Sequence, residues 1–94
     1  MVKHIVMWEF MPGKEKEARE FLDKLRGLYG QIAVLRSAEV AENAAPGNDC
    51  SAVLIATFDN YADLEAYKTD PRHVAVSSLC KSIRVARHAV DYEF

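Results

Sequence analysis

Apolar residues along this chain recur first at the period of a strand and then at that of a helix, and the switches between the two divide it into elements. Val2 to Phe10 carries Val2, His4, Val6, Trp8 and Phe10 on its even positions, while the odd ones include Ile5 and Met7, which predicts a strand apolar on both faces. After Met11-Pro12-Gly13, the segment Lys14 to Tyr29 places Ala18, Phe21, Leu22, Leu25, Leu28 and Tyr29 in the stripe of an amphipathic helix. Its polar face carries Glu15/Arg19 and Glu20/Lys24, one helical turn apart, and Gly30 is the expected stop. Leu35 to Ala41 is a weaker strand. The Asn, Pro, Gly and Asp of Glu42 to Asp49 supply turn chemistry, and Ser51 to Phe58 is a second strand apolar on both faces. Asn60 to Tyr67 reads as a short helix capped by Asp59 or Asn60, with Leu64 and Tyr67 facing inward. Asp70-Pro71 is a fresh start signal, a cap followed by proline at the first helical position, so a separate helix is expected from Pro71 to about Ile83. Arg87 to Phe94 closes the chain as a strand.

The order β-α-β-β-α-β predicts an α+β, ferredoxin-like fold: one domain over residues 1–94, with a four-stranded antiparallel sheet carrying its helices on one face. Such a sheet, wet on its other face, should alternate apolar and polar residues, and the strands at Val2 and Ser51 do not. One further apolar face, carrying either Ile5 and Met7 or Val6 and Trp8, therefore needs a cover. A second copy of the same sheet about a two-fold axis is the simplest cover, so the pattern predicts a homodimer.

Composition narrows the function classes. The chain has 94 residues and a formal net charge of -2, with its lysines and arginines scattered, so no basic surface for nucleic acid is expected. No apolar run is long enough to span a bilayer, and the opening segment lacks a signal-type cleavage site, which points to a cytoplasmic protein. Cys50 and Cys80 stand thirty residues apart with no CxxC spacing, fitting neither a zinc site nor a secreted disulfide framework. There is no glycine-rich phosphate loop, and Ser77 and Ser78 lack a nucleophile-elbow context, so no cofactor is expected.

The remaining chemistry concentrates in Leu64 to Val76, where Tyr67 and His73 flank Pro71. His73 is third in the helix that Asp70 opens. The positive end of that helix disfavours an imidazolium while the Asp70 carboxylate favours one, and the sequence leaves the balance open. A neutral His73 suits a general base; the alternative is a side chain that satisfies a helix-end or loop carbonyl. Tyr67 either packs or holds its hydroxyl near His73, both open to solvent. His4 either makes one structural hydrogen bond or faces a ligand, and Trp8, Phe10, Phe21, Leu22 and Leu25 form core or the wall of an apolar pocket. His4, His73 and Asp70 have no close-spaced ligand motif, so no metal is expected.

Taken together, VKHIVMWEF at the start, ATFDNYADLEAYKTDPRHVAV in the middle and AVDYEF at the end resemble the stress-responsive dimeric α/β-barrel family, the Dabb domain, over essentially the whole chain. The family's middle motif runs close to Y-x-x-H-P-x-H; here it is Tyr67-Lys68-Thr69-Asp70-Pro71-Arg72-His73, with Asp70 in place of the first histidine. The resemblance implies a ferredoxin-like monomer whose sheet packs on its mate's to close a barrel. Some plant members are similar to polyketide cyclases, and the likeness places their proton-transfer histidine on His73, the tyrosine on Tyr67 and a strand histidine on His4. A further pocket histidine of a cyclase-like member falls on Ala52. The expected protein is a homodimer with a cleft for a small apolar or aromatic carbonyl compound, contacted by His4, Val6, Trp8, Phe21 and Leu25. One alternative is a polyketide-cyclase-like lyase with His73 and Tyr67 as its acid/base pair, and another is a non-catalytic structural stress protein.

Overall fold

In the computed structural model, which describes residues 1–94, the elements run β1 (Val2–Phe10), α1 (Glu15–Arg26), β2 (Ser37–Glu42), β3 (Ala52–Phe58), α2 (Tyr61–Thr69), α3 (Pro71–Lys81) and β4 (Arg84–Glu93). They form the ferredoxin-like α+β architecture, with one antiparallel sheet ordered β2-β3-β1-β4. The register decides which apolar face the helices cover. Val2, His4, Val6 and Trp8 share a face with Ala52, Leu54, Ala56 and Phe58, and all eight are buried. Phe21, Leu22 and Leu25 of α1, Leu64 and Tyr67 of α2, and Val76 and Cys80 of α3 complete this core. The opposite face carries Ile5, Met7, Val53, Ile55, Val90 and Tyr92. There Met7 is 40 % exposed and Val90 53 %, so the choice left open by the sequence falls on Ile5 and Met7 as the uncovered pair.

Helix boundaries follow local chemistry. Asn60, not Asp59, caps α2: its side-chain oxygen accepts the Asp63 N–H at 2.8 Å, while Asp59 pairs with Arg36 at 2.9 Å. Asp70 ends α2 and opens α3 in extended backbone, its carboxylate accepting the Arg72 N–H at 2.8 Å with Pro71 at the first turn. The separate third helix is thus present. The expected helix from Lys14 to Tyr29 is shorter, ending at Arg26. From Gly27 onward the chain winds through turns, with Ile32 N–H bonded to Leu28 O and a left-handed Gly30, which keeps Leu28, Ile32 and Leu35 buried but turns Tyr29 out to solvent. β2 accordingly starts at Ser37 rather than Leu35. β4 begins at Arg84, earlier than expected, because a register shift between Glu9 and Phe10 lets the strand ladder continue. No helix is long and apolar enough to cross a membrane.

The α2 cap is a testable part of this frame. Asn60→Ala should lower unfolding stability by about 1 kcal/mol, or roughly 4–8 °C in Tm for a domain of this size, whereas Asn60→Asp should retain most of it. Equal melting of wild type and Asn60→Ala would show that the cap does not hold α2.

Candidate functional site

Two elements meet at the His4 end of the sheet. On β1 and β4 the antiparallel register sets His4 opposite Asp91, Val6 opposite Ala89 and Trp8 opposite Arg87, each pair on the helix-covered side. On α3, His73, Ser77 and Cys80 recur at the spacing of one helix face. The break at Asp70-Pro71 lets α3 take a direction of its own, and its polar stripe lies over the strand residues. Between them is a cavity of about 40 Å³ lined by His4, Val6, Trp8, Phe21, Leu25 and Leu54 from below and by His73, Ser77, Cys80, Arg84 and Arg87 around the rim. That volume accommodates little more than water. Arg87 is exposed and marks the mouth, beside the thinly covered strand β4. A roomier groove of about 230 Å³, bordered by Phe10, Ala18, Leu22 and Ser51, contains no histidine, and its Arg19 and Glu42 face each other at 3.8 Å.

His4 is only 3 % exposed. Its Nδ1–H donates to Asp91 Oδ1, and Lys68 Nζ lies 3.8 Å from Asp91 Oδ2. Burial lowers the His4 pKa below its ordinary value, outweighing the upward pull of Asp91. The pair is thus a neutral imidazole bonded to a carboxylate. Because a carboxylate only accepts, the proton sits on Nδ1 and Nε2 keeps a lone pair. His73 repeats the arrangement through the main chain: its Nδ1–H donates to Lys68 O at 3.1 Å. Its pKa is lowered, chiefly by burial; the Lys68 carbonyl and Asp70 oppose this, while His4 and Arg87 reinforce it. The balance that the sequence left open falls on the neutral side. Asp70 weighs little on His73 because Arg72 holds it, with the Asp70 pKa lowered to about 2 by the Arg72 side chain and backbone N–H.

His4, Val6, Trp8, Phe21, Leu25 and His73 therefore converge on one cavity. Tyr67 does not line it. The tyrosine is 1 % exposed, its ring packed against His73 at 4.3 Å between centroids and against Phe58 at 5.1 Å. The expectation that both His73 and Tyr67 face solvent is met only by His73, which lines the cavity, because Tyr67 lies on the core side of α2 with Leu64 and packs on Phe58. Burial raises its pKa, so the hydroxyl stays protonated. Trp8 and Phe21 meet edge to face at 5.3 Å and form an aromatic wall. Sequence reasoning missed Asp91, Ser77, Cys80, Arg84 and Arg87. The helical spacing of His73, Ser77 and Cys80 was a readable signal; Asp91 and the arginines needed the β1–β4 register. No group of three or more His, Cys, Asp or Glu side chains is arranged to hold a metal ion.

Comparison with known proteins gives a consistent picture. The model of the stress responsive A/B barrel domain, Dabb, matches residues 2–94. A dimeric protein of unknown function with a ferredoxin-like fold from Bacteroides fragilis is 33 % identical, with 99 % of this chain and 95 % of that one covered at a TM-score of 0.86. A Dabb family protein from Mesorhizobium loti is 20 % identical over 99 % of this chain and 95 % of its own, with a TM-score of 0.82. The hydroxynitrile lyase from Passiflora edulis shares the fold at 13 % identity, covering 97 % of this chain and 90 % of its own with a TM-score of 0.85. No curated protein matches the sequence. With a family model spanning nearly every residue and the expected fold beneath it, the chain belongs to the stress-responsive A/B barrel (Dabb) domain family.

Proposed function

We propose that this protein is a homodimer that binds a small apolar or aromatic carbonyl compound in the His4/His73 cleft, with His73 as general base. The observation that carries the reading is the pair of neutral imidazoles on one cavity, each with its Nδ1 proton committed and its Nε2 free to accept a proton. That pairing suits proton transfer at a carbon next to a carbonyl, as in a cyclase-like or lyase step. The C–H bond breaks, its proton goes to His73 Nε2, and the electron pair moves to the carbonyl oxygen. Tyr67 braces the His73 ring from outside the cavity and, buried and protonated, acts by positioning the imidazole. The hydroxynitrile lyase on the same fold supports a lyase reading at the level of architecture alone. The cavity of about 40 Å³ is too small for such a compound as it stands, so binding requires the exposed Arg87 side chain and the α3 rim to move outward and admit it. The two free cysteines fit a reducing, cytoplasmic setting.

The uncovered sheet face supports the homodimer. Ile5, Met7, Val53, Ile55 and Val90 form a contiguous apolar surface, and Lys3 lies over the Phe94 ring at 4.6 Å on the same side. Relatives of this fold from Bacteroides fragilis and Thermobifida fusca are described as dimeric. Sedimentation at micromolar concentration should give a dimer burying about 1,200–2,000 Å². Ile55→Asp should shift it to monomer, and a monomeric wild type would sink this half of the proposal.

His73→Ala should slow turnover of a carbonyl substrate by roughly 10² or more, or weaken binding of an unreactive ligand, with Tm nearly unchanged. Loss of the fold with ligand handling intact in the residual folded protein would assign His73 a structural role instead.

The pH dependence follows from the lowered histidine pKa values. A base with a folded pKa below its ordinary 6.5 stays neutral, and catalytically competent, when a free imidazole is already protonating. Activity should therefore persist at pH 6.5 and fall only further into acid. The stability these neutral histidines contribute is fully present above 6.5. It is lost as pH falls from 6.5 towards the folded values, because the unfolded chain takes up protons first. Thermal melts across about pH 5–8, read beside imidazole proton resonances, check both signs.

A further inference from the structure

The chain has six arginines, and four of them meet a carboxylate: Arg19 with Glu42, Arg26 with Asp23, Arg36 with Asp59 and Arg72 with Asp70. The two without a carboxylate partner, Arg84 and Arg87, both line the histidine cavity. No acidic side chain lines it with them. Asp91 is already engaged by His4 and Lys68, and Asp70 by Arg72. Arg84 is half-buried beside the Cys80 thiol with no carboxylate partner, so its guanidinium carries a desolvation cost that a bound anion offsets. The strand register fixes the geometry: Arg87 stands opposite Trp8 and Arg84 opposite Phe10, so the cationic rim lies beside the aromatic wall and away from the His4–Asp91 end.

We infer that the compound taken by this site is an acid: an apolar or aromatic body on Trp8 and Phe21, an anionic carboxylate held by Arg84 and Arg87, and its carbonyl end towards the histidines. This rests on the proposed ligand site and adds to it the class of ligand. A neutral ketone would leave the half-buried Arg84 without an anionic partner. A carboxylate gives the guanidiniums the flat, two-oxygen partner to which an arginine fork is matched.

The test compares benzoate with benzamide, equal in shape and different in charge, by titration against the full-length protein with the imidazole resonances of His4 and His73 as the readout. Benzoate should shift both histidines with an affinity at least about tenfold above benzamide, the size expected of a charge-assisted pair. Added salt should narrow the gap. Arg87→Gln, at an exposed position, should remove most of the preference by weakening benzoate far more than benzamide, since the ionic contact is lost. Arg84→Lys keeps the charge at the half-buried position and should lose part of the preference through the lost fork. Equal affinities in wild type, or a preference that survives in Arg87→Gln combined with Arg84→Lys, would overturn the acid assignment while leaving the site itself standing. If neither compound moves the histidine resonances, or benzoate perturbs only distant residues, both the ligand site and its acid specificity fall.

Discussion

β1 is asked to be apolar on two faces, while the helices suffice to cover one. The whole architecture follows from how that is resolved. Because side chains alternate strictly along a strand, the register that buries Val2, His4, Val6 and Trp8 under the helices also commits Ile5 and Met7 to the opposite side. A one-residue slip would exchange the two sets, expose Trp8 and bury Lys3 and Glu9, which carry charges without buried partners. The open face is thus the necessary complement of the core, and the same choice brings His4 beneath the helices where its protonation can be controlled.

The site depends on a second constraint, the break between α2 and α3. Had the chain continued as one helix past Tyr67, the polar stripe of His73, Ser77 and Cys80 would have followed the direction of α2. Proline at the first position of α3 and the Asp70 carboxylate on the Arg72 N–H end one helix and start the other within a single residue. Asp70 has little influence on His73, whatever residue the family motif carries there, because its charge is satisfied by Arg72. Tyr67 stays behind the break as packing for the imidazole.

Electrostatically, the cavity is built from neutral bases and from two arginines that no carboxylate neutralises. Burial keeps both histidines deprotonated, and each is oriented by an acceptor on its other nitrogen, a carboxylate for His4 and a main-chain carbonyl for His73. The elements that provide these acceptors are far apart in sequence: Asp91 lies near the end of β4 and Lys68 at the end of α2. Lys68 ties them together, its carbonyl holding His73 and its ammonium reaching towards Asp91.

Much of this was legible along the chain. Element order, the separate third helix, the excess apolar face and the cavity residues His4, Val6, Trp8, Phe21, Leu25 and His73 follow from period, capping and family motif, all of which are local or nearly local signals. Helix α1 was overread because Leu28 continues the apolar stripe past Gly27, and period alone does not separate a buried turn from another helical turn. What only the tertiary structure decided is everything that depends on register between distant strands: Asp91 opposite His4, Arg87 opposite Trp8, Tyr67 sealed away from the cavity and the sign of the His73 shift. Those depend on burial and on partners brought from the far end of the chain. Such distances and desolvation exist only once the sheet has closed, whereas periodicity and capping act between neighbours and are written in the sequence itself.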